Sequence, residues 1–320
     1  MAAAEYISPD NPVICVVGPT ASGKSDLAQQ VALALGGEVV SADSMQIYCG
    51  MDIGTGKVPP EQRLVPHFGL DLVQPGQAYS ASLFQEYARV CFADIAARGK
   101  RAVLCGGTGF YVRAAIDDYQ FPAGEQVDNP VRETYQALAH QHGAEYVWEC
   151  LREADPESAA VIHPNNTKRV IRALELLEVG KHYADQLEAL DTLQQKVPAV
   201  FLGLAVPRDQ LYARINSRVD AMMAAGLEEE VTCLLQAGFR EGITAPQAIG
   251  YKEIVSALEG ECGLDEAVDA IKQATRRYAK RQISWFKKDA RIVWLDAADD
   301  KLDTLADQAL DVLAQQGITR

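Results

Sequence analysis

The chain has 320 residues, enough for about two domains at ~150 residues each. Hydrophobic residues make up 48% and charged residues 23%, so a sizeable core can form and wholesale disorder is excluded. Thirty basic against 44 acidic side chains leave a net charge of −14, which excludes a uniformly basic nucleic-acid coat but not a local basic patch. The first six residues lack the basic and apolar regions of a signal peptide, so none is expected. Val13-Ile-Cys-Val-Val17, between Pro12 and Gly18-Pro19, reads as a buried parallel strand. A helix follows with Leu27, Ala28, Val31 and Leu35 on one face, and Gly36-Gly37 stops it. Glu38–Ala42 is the next strand. From Tyr79 to Ala97, apolar residues at Leu83, Phe84, Tyr87, Ala88, Cys91, Phe92 and Ile95 keep a helical period, with Ser82 and Gln85 as a candidate capping box. Arg101–Cys105 is another buried strand, closed by Gly106-Gly107.

No strand signal survives between Asp118 and Pro198. A linker is expected over 119–130, then helices at Pro130–Glu149, Pro156–Ile162, Thr167–Val179 and Tyr183–Gln195. Strands resume at Ala199–Val206 and Arg291–Leu295. The longest apolar run, Val197–Pro207, is too short to span a bilayer and is interrupted by Pro and Gly, so no membrane association is expected. Short strands alternating with amphipathic helices predict an α/β protein: a parallel sheet flanked by helices, built from 1–117 and 199–320, with an all-helical insertion domain over 118–198. Seven cysteines, an odd number without a CxxC pair, argue against a disulfide framework or zinc site. The five scattered histidines form no metal cluster.

Gly18-Pro19-Thr20-Ala21-Ser22-Gly23-Lys24-Ser25 fits G-x-x-x-x-G-K-[ST] between a predicted strand and a predicted helix, the context a P-loop requires. Its backbone N–H groups would curl around phosphate oxygens, Lys24 would add a point charge, and Ser25 would offer a hydroxyl to Mg²⁺. The sheet is therefore expected to be P-loop NTPase-like. The motif fixes a phosphate, not the compound that carries it. Two acids end predicted strands. Asp296 lies near the C-terminus and reads as an edge-strand decoy. Asp43, just after the second strand, should reach the crevice beside the P-loop, as a general base, a water-mediated metal ligand or only a loop cap. Gly106-Gly107-Thr108 brings a third strand end, and Thr108, into the same crevice. Gly54-Thr55-Gly56-Lys57 lacks a preceding buried strand and is followed by Pro59-Pro60, so it is not read as a second phosphate loop.

From Lys272 to Arg291 there are eight basic residues against one acid, a local charge of +7 that leaves −21 on the rest. Tyr278, Trp285 and Phe286 are interleaved, and Arg276/Lys280 and Arg277/Arg281 stand four apart, predicting one basic helical face. Such segments suit phosphate backbones and unstacked bases. A solvated helix face is the plainer alternative. Lys168-Arg169 with Arg172 is a smaller cluster in the insertion.

These residues together resemble the bacterial tRNA dimethylallyltransferase family. The resemblance runs from Pro12 to about Asp296. It is carried by the P-loop, Asp43-Ser44, Tyr48 to Thr55, Pro66-His67, Ala78 to Ala81, Gly106-Gly107-Thr108, His163-Pro164-Asn165, Arg172 to Glu175, Gly250-Tyr251, and Ala279 to Gln282 with Trp285. It departs from the family at Gly109 and at Met45-Gln46. The resemblance implies transfer of a dimethylallyl group from dimethylallyl diphosphate to N6 of the adenosine 3′ to the anticodon, in tRNAs reading codons that begin with U. The P-loop would then hold the isoprenoid's diphosphate rather than ATP. It implies catalytic roles for Asp43, Thr108 and Lys24, Mg²⁺ at Ser25, and Arg218 as a further diphosphate ligand. Expected contacts to the tRNA anticodon stem-loop are Asp43, Ser44, Met45, Gln46, Thr108, Arg132, Lys168, Arg169, Val170, Ile171, Arg172, Gln247, Ala248, Ile249, Gly250, Tyr251, Lys252, Lys280, Arg281, Gln282, Ile283, Ser284, Trp285, Phe286 and Lys287. A monomeric bacterial cytoplasmic enzyme is expected, without the C-terminal zinc finger of eukaryotic relatives. Three alternatives stand beside it: an adenylate isopentenyltransferase, a P-loop small-molecule kinase and a non-catalytic RNA-binding module. The kinase does not account for the basic aromatic stretch, and the long insertion favours tRNA over AMP.

Overall fold

Apolar runs bounded by Pro and Gly form most strands of the computed structural model, which describes residues 7–121, 129–192, 194–298 and 301–319. The N-terminal hexapeptide and most of the expected 119–130 linker lie outside the described residues. The strands are β1 (Val13–Val17), β2 (Glu38–Ser41), β3 (His67–Phe68), β4 (Ala102–Gly106), β5 (Ala199–Ala205) and β6 (Ile292–Asp296). All pair in parallel, in the order β3-β2-β4-β1-β5-β6. Two-residue β3 was not expected, because two residues carry no period. β6 is the opposite edge, so Asp296 does end an edge strand. Every residue of β1, β2 and β4 is buried, as helices cover both faces.

Helix α1 (Lys24–Leu35) packs on one face through Leu27, Ala28, Val31 and Leu35, together with the C-terminal helix over Leu302–Gln315. α2 (Ala81–Ala97) and α3 (Gly109–Ile116) cover the other, where Phe84 stacks on Tyr111. The capping box expected at Ser82 is not formed. Ser80, with extended backbone, is the N-cap and accepts from the Leu83 N–H at 3.2 Å, while the Gln85 amide donates to the Ala114 carbonyl at 2.8 Å.

The chain divides into two compact units, Asp117–Gln194 and the remainder. The smaller is helical: α4 (Pro130–His142), α5 (Ala144–Ala154), α6 (Pro156–Ala160), α7 (Thr167–Glu178) and α8 (Tyr183–Thr192). The single helix expected over Pro130–Glu149 is two, because Gly143 adopts φ +91°, a geometry that favours glycine. Its core joins Val147, Leu151, Ala159, Ile162, Val170, Ile171 and Leu174. In the larger unit, α9 (Arg208–Ala224), α10 (Leu227–Gln236), α11 (Tyr251–Leu258) and the 23-residue α12 (Leu264–Phe286) precede β6 and the C-terminal helix, α13. α9 to α12 close on Ile47, Tyr48 and Met51 as a further apolar cluster. All seven cysteines are free thiols. Among the described residues, no helix is long and apolar enough to cross a membrane.

Candidate active site

Level strand ends build the site. Val17 pairs with Gly106 and Gly203, and Ser41 with Cys105, so the loops after β1, β2 and β4 leave the sheet side by side. The P-loop follows β1, with Ala21 at φ +60° and Gly23 at φ +88° turning its backbone inward toward an anion position. Ser22 Oγ is buried without a partner among the described residues, as expected of a donor waiting for an anion. Lys24 Nζ reaches only the Pro19 carbonyl, at 3.3 Å, among the described residues. Burial pulls its pKa below the ordinary lysine value, Cys105 and Asp43 oppose that, and Arg218 adds to it.

β4 lies between β1 and β2, so Asp43 must reach the P-loop across it. Glycines make this possible. A Cβ on Gly106 would stand 2.1 Å from the Ala42 carbonyl oxygen, and one on Gly107 2.2 Å from Gln282 Nε2. Asp43 Oδ1 accepts from the Met45 N–H at 2.9 Å, so the loop fixes the carboxylate. Thr108 Oγ1 accepts from the Ser44 N–H at 3.1 Å and lies 3.3 Å from Ser44 Oγ. The Tyr278 hydroxyl, hydrogen-bonded to Thr108, is pushed up to about 12 by burial first and by the Asp43 charge next. Arg218 makes no hydrogen bond or ion pair among the described residues; burial lowers its pKa, and Asp43 and Asp26 oppose that.

Thr20, Asp43, Ser44, Met45, Thr55 and Arg218 line a cavity of about 470 Å³ with α11 and α12. An adjoining recess holds Lys24, Ser25, Asp43, Gln46 and Arg218. Two cations without ion pairs, among the described residues, suit a diphosphate. The Ser25 hydroxyl and Asp43 carboxylate are hard oxygen donors of the kind Mg²⁺ takes beside water and phosphate oxygens. No cage of three or more His, Cys, Asp or Glu exists among the described residues.

The expected tRNA-contacting residues divide. Gln247, Ala248, Ile249, Gly250, Tyr251, Lys252 and Arg281 line the main cavity, beside Arg277, which was not among them. Lys280, Arg281, Ser284, Trp285 and Lys288 line an open groove of about 510 Å³, and Lys287 is exposed. Other side chains are engaged within the protein itself. Phe286 is in the sheet core, and Ile283 is half-buried against the cluster of Leu211 and Ile215. Gln282 is buried: its Oε1 accepts from the Thr20 N–H and its Nε2 donates to the Gly107 carbonyl, both at 2.9 Å. Tyr251, although it borders the main cavity, is buried and donates its hydroxyl to Glu230 at 2.6 Å. Val170 and Ile171 are in the core of the smaller unit. There Arg132 and Arg172 are paired with the buried carboxylate of Glu175, while Lys168 and Arg169 are exposed. The single basic face expected on α12 also splits: Lys272 pairs with Asp220 and Arg276 donates to Asn216, both toward α9. Sequence reading missed Gln282 as a clamp, Glu230, and the places of Tyr278 beside Thr108 and of Thr55 in the cavity wall. A lone Gln, Tyr or Glu bonded to residues far away leaves no local pattern.

A family model described as IPP transferase matches residues 46–289, and one described as isopentenyl transferase matches residues 11–65. A tRNA dimethylallyltransferase of Geobacillus thermodenitrificans is 46% identical over 90% of this chain and 91% of its own length. That of Bacillus subtilis is 45% identical over 89% and 90%. The solved tRNA isopentenylpyrophosphate transferase of Staphylococcus epidermidis superposes with a TM-score of 0.69 at 38% identity, covering 95% of this chain and 99% of that one. A eukaryotic dimethylallyltransferase solved acting on tRNA gives 0.76 at 29%, covering 96% and 79%.

Proposed function

The chain belongs to the IPP transferase family of tRNA dimethylallyltransferases, and from that premise we propose how its own residues carry the reaction. It transfers a dimethylallyl group to tRNA. The acceptor is N6 of the adenosine 3′ to the anticodon, in tRNAs that read codons beginning with U, and the donor is dimethylallyl diphosphate. One observation carries this reading. The carboxylate of Asp43 shares a recess with Lys24, Ser25 and Arg218, so a base and an anion site face the same space.

The amine lone pair at N6 is delocalised into the adenine ring, so the amine is a weak nucleophile. N6 forms its bond to the allylic C1 as the C1–O bond breaks, and the electron pair of that bond leaves on the diphosphate. Asp43 takes one N6 proton as the new bond forms. Lys24, Arg218 and the P-loop N–H groups meet the charge that develops on the leaving oxygens. Thr108, braced by Ser44 and Tyr278, orients the base. Mg²⁺ would be held by the Ser25 hydroxyl and would further neutralise the diphosphate. The target base leaves the anticodon-loop stack to enter the cavity, which costs a few kcal/mol. The exposed cations of α12 hold the phosphates of the loop around it. The enzyme acts as a cytoplasmic monomer.

Labelled dimethylallyl diphosphate with unmodified tRNA, against AMP and against ATP with small-molecule acceptors, tests the reading. Label is expected in tRNA, at the adenosine 3′ to the anticodon. Label in AMP alone makes the chain an adenylate isopentenyltransferase, and ATP consumed in step with product makes it a kinase.

A further inference from the structure

The string Gly54-Thr55-Gly56-Lys57 is not a phosphate loop, yet it lies against Arg218. Gly56 has φ +60°, and a Cβ built on it would stand 1.6 Å from Arg218 Nη2 and 2.8 Å from Cζ. The guanidinium therefore lies directly on the Gly56 backbone. A Cβ on Gly54 would stand 2.5 Å from the ring of Tyr251.

The string is held from three sides. Glu230 accepts from the N–H groups of Asp52 (3.0 Å), Ile53 (2.7 Å) and Gly54 (3.2 Å), and also from the Tyr251 hydroxyl. The buried Lys57 ammonium donates to the Tyr48 carbonyl (2.7 Å), Asp52 (2.7 Å) and Asp71 (2.5 Å). Gln46 Nε2 donates to the carbonyls of Thr55 (3.2 Å) and Gly56 (3.3 Å), while its Oε1 accepts from Ser41 at the end of β2. These bonds fix a backbone surface, while the guanidinium they support makes none of its own among the described residues.

We infer that Gly54–Lys57, fastened by Glu230, Lys57 and Gln46, is a cradle that aims the Arg218 guanidinium at the diphosphate, with Gly56 as the positioning residue. This rests on the dimethylallyl-transfer reading, in which Arg218 meets the diphosphate. A cradle needs the absence of a Cβ, whereas a turn needs only tolerance of positive φ. Asparagine tolerates positive φ but carries a Cβ.

The test compares Gly56→Ala, Gly56→Asn, Arg218→Ala and the double variant Gly56→Asn/Arg218→Ala, each checked for cooperative unfolding. The readouts are inorganic diphosphate affinity by calorimetry, KM and kcat with dimethylallyl diphosphate, and tRNA affinity. Both Gly56 variants are expected to weaken diphosphate binding about tenfold or more and to lower kcat, since misplacement by about 1 Å has that scale. Affinity for tRNA should hold. In the Arg218→Ala background, Gly56→Asn should add less than about twofold, because the group it displaces is gone. If Gly56→Ala does not fold, Gly56→Asn carries the comparison, and Glu230→Gln, which loosens the string without adding a Cβ, should share the diphosphate defect. Wild-type diphosphate binding by Gly56→Asn beside a weakened Arg218→Ala overturns the cradle alone, as do additive losses in the double variant or unimpaired diphosphate binding by folded Glu230→Gln. Wild-type binding by Arg218→Ala removes Arg218 from the diphosphate site, and the cradle with it.

Discussion

Asp43 is tied to its own loop and still faces the recess. Its Oδ1 accepts from the Met45 N–H, which orients the carboxylate. If, as proposed, its task is a proton moved in the transition state, Asp43→Ala should lower kcat by about 10²–10⁴-fold. Binding of tRNA should change little. Single-turnover rates beside filter binding check this, and near-normal turnover would take Asp43 out of the mechanism. In the proposed mechanism Lys24 meets the diphosphate before and during departure, more strongly as charge accumulates. Lys24→Ala should therefore raise KM for dimethylallyl diphosphate and lower kcat together. A rise in KM alone, seen in steady-state kinetics, would leave it a ground-state contact. Asp43 and Lys24 were legible in the sequence because each stands at a strand end beside a recognisable signal. Gln282 was not legible as a clamp: the partner of its Oε1 is 262 positions away, and nothing near residue 282 announces it. The Gly54–Lys57 string was visible but compared with only one pattern, the phosphate loop.

At the scale of elements, five of the six strands and the helices flanking β1, β2 and β4 were legible from period and from bounding glycines, and among these the errors fell at ends. Ser80 and Ser82 both precede the α2 face, and only the backbone angles at Ser80 decide between them. The helices between 208 and 258 escaped because their apolar residues pack on Ile47, Tyr48 and Met51, far away in sequence. Asp155 shows how an element end becomes sensitive to pH. Its buried carboxylate caps α6, accepting from the Ser158 N–H at 3.1 Å, and lies 3.0 Å from His182 Nδ1. Burial pushes Asp155 up, but the bonds from Ser158 and His182 outweigh it and hold the carboxyl low. The bond to Asp155 raises His182. A depressed carboxyl gives stability that is present above its unfolded pKa and lost as pH falls through the folded one. A raised imidazole gives stability that is present below its unfolded pKa and lost as pH rises through the folded one. The pair should therefore contribute most between about pH 4 and 6.5. Trp148, whose indole N–H donates to the Ala159 and Ile162 carbonyls, reports on this unit once Trp285 and Trp294 are replaced by Phe. In urea melts followed by its fluorescence, the deficit of His182→Ala should be largest in that window and shrink above it. A deficit constant from pH 5 to 9 would mean the pair carries no titrating charge.

On the scale of the whole molecule, the question is how a chain of net charge −14 holds a polyanion. Segregation answers it, and the sequence already showed the +7 stretch at 272–291 against −21 elsewhere. Folding sharpens the contrast by sorting those cations. Lys272 and Arg276 turn to α9, and Arg291 is paired with Asp289, so their charge is neutralised or engaged inside the protein. Arg277, Lys280, Arg281, Lys287 and Lys288 remain at the surface, and Arg281 lies over the Tyr278 ring at the cavity. These five are the cations proposed to meet the phosphates. Each phosphate neutralised by Lys or Arg releases counterions, so binding must weaken as salt rises. Replacing Lys280 and Arg281 by Ala should weaken tRNA binding and reduce the log–log salt slope by about 0.7–0.9 for each phosphate no longer neutralised. Affinity for dimethylallyl diphosphate should hold, because the proposed site for that ligand is the P-loop and Arg218. Lys272→Ala is the internal control: its partner is Asp220, so it should leave the slope unchanged. Filter binding of wild type and the variants at several salt concentrations reads all of this. An unchanged slope in Lys280→Ala/Arg281→Ala would reduce α12 to a solvated surface helix and move tRNA recognition elsewhere.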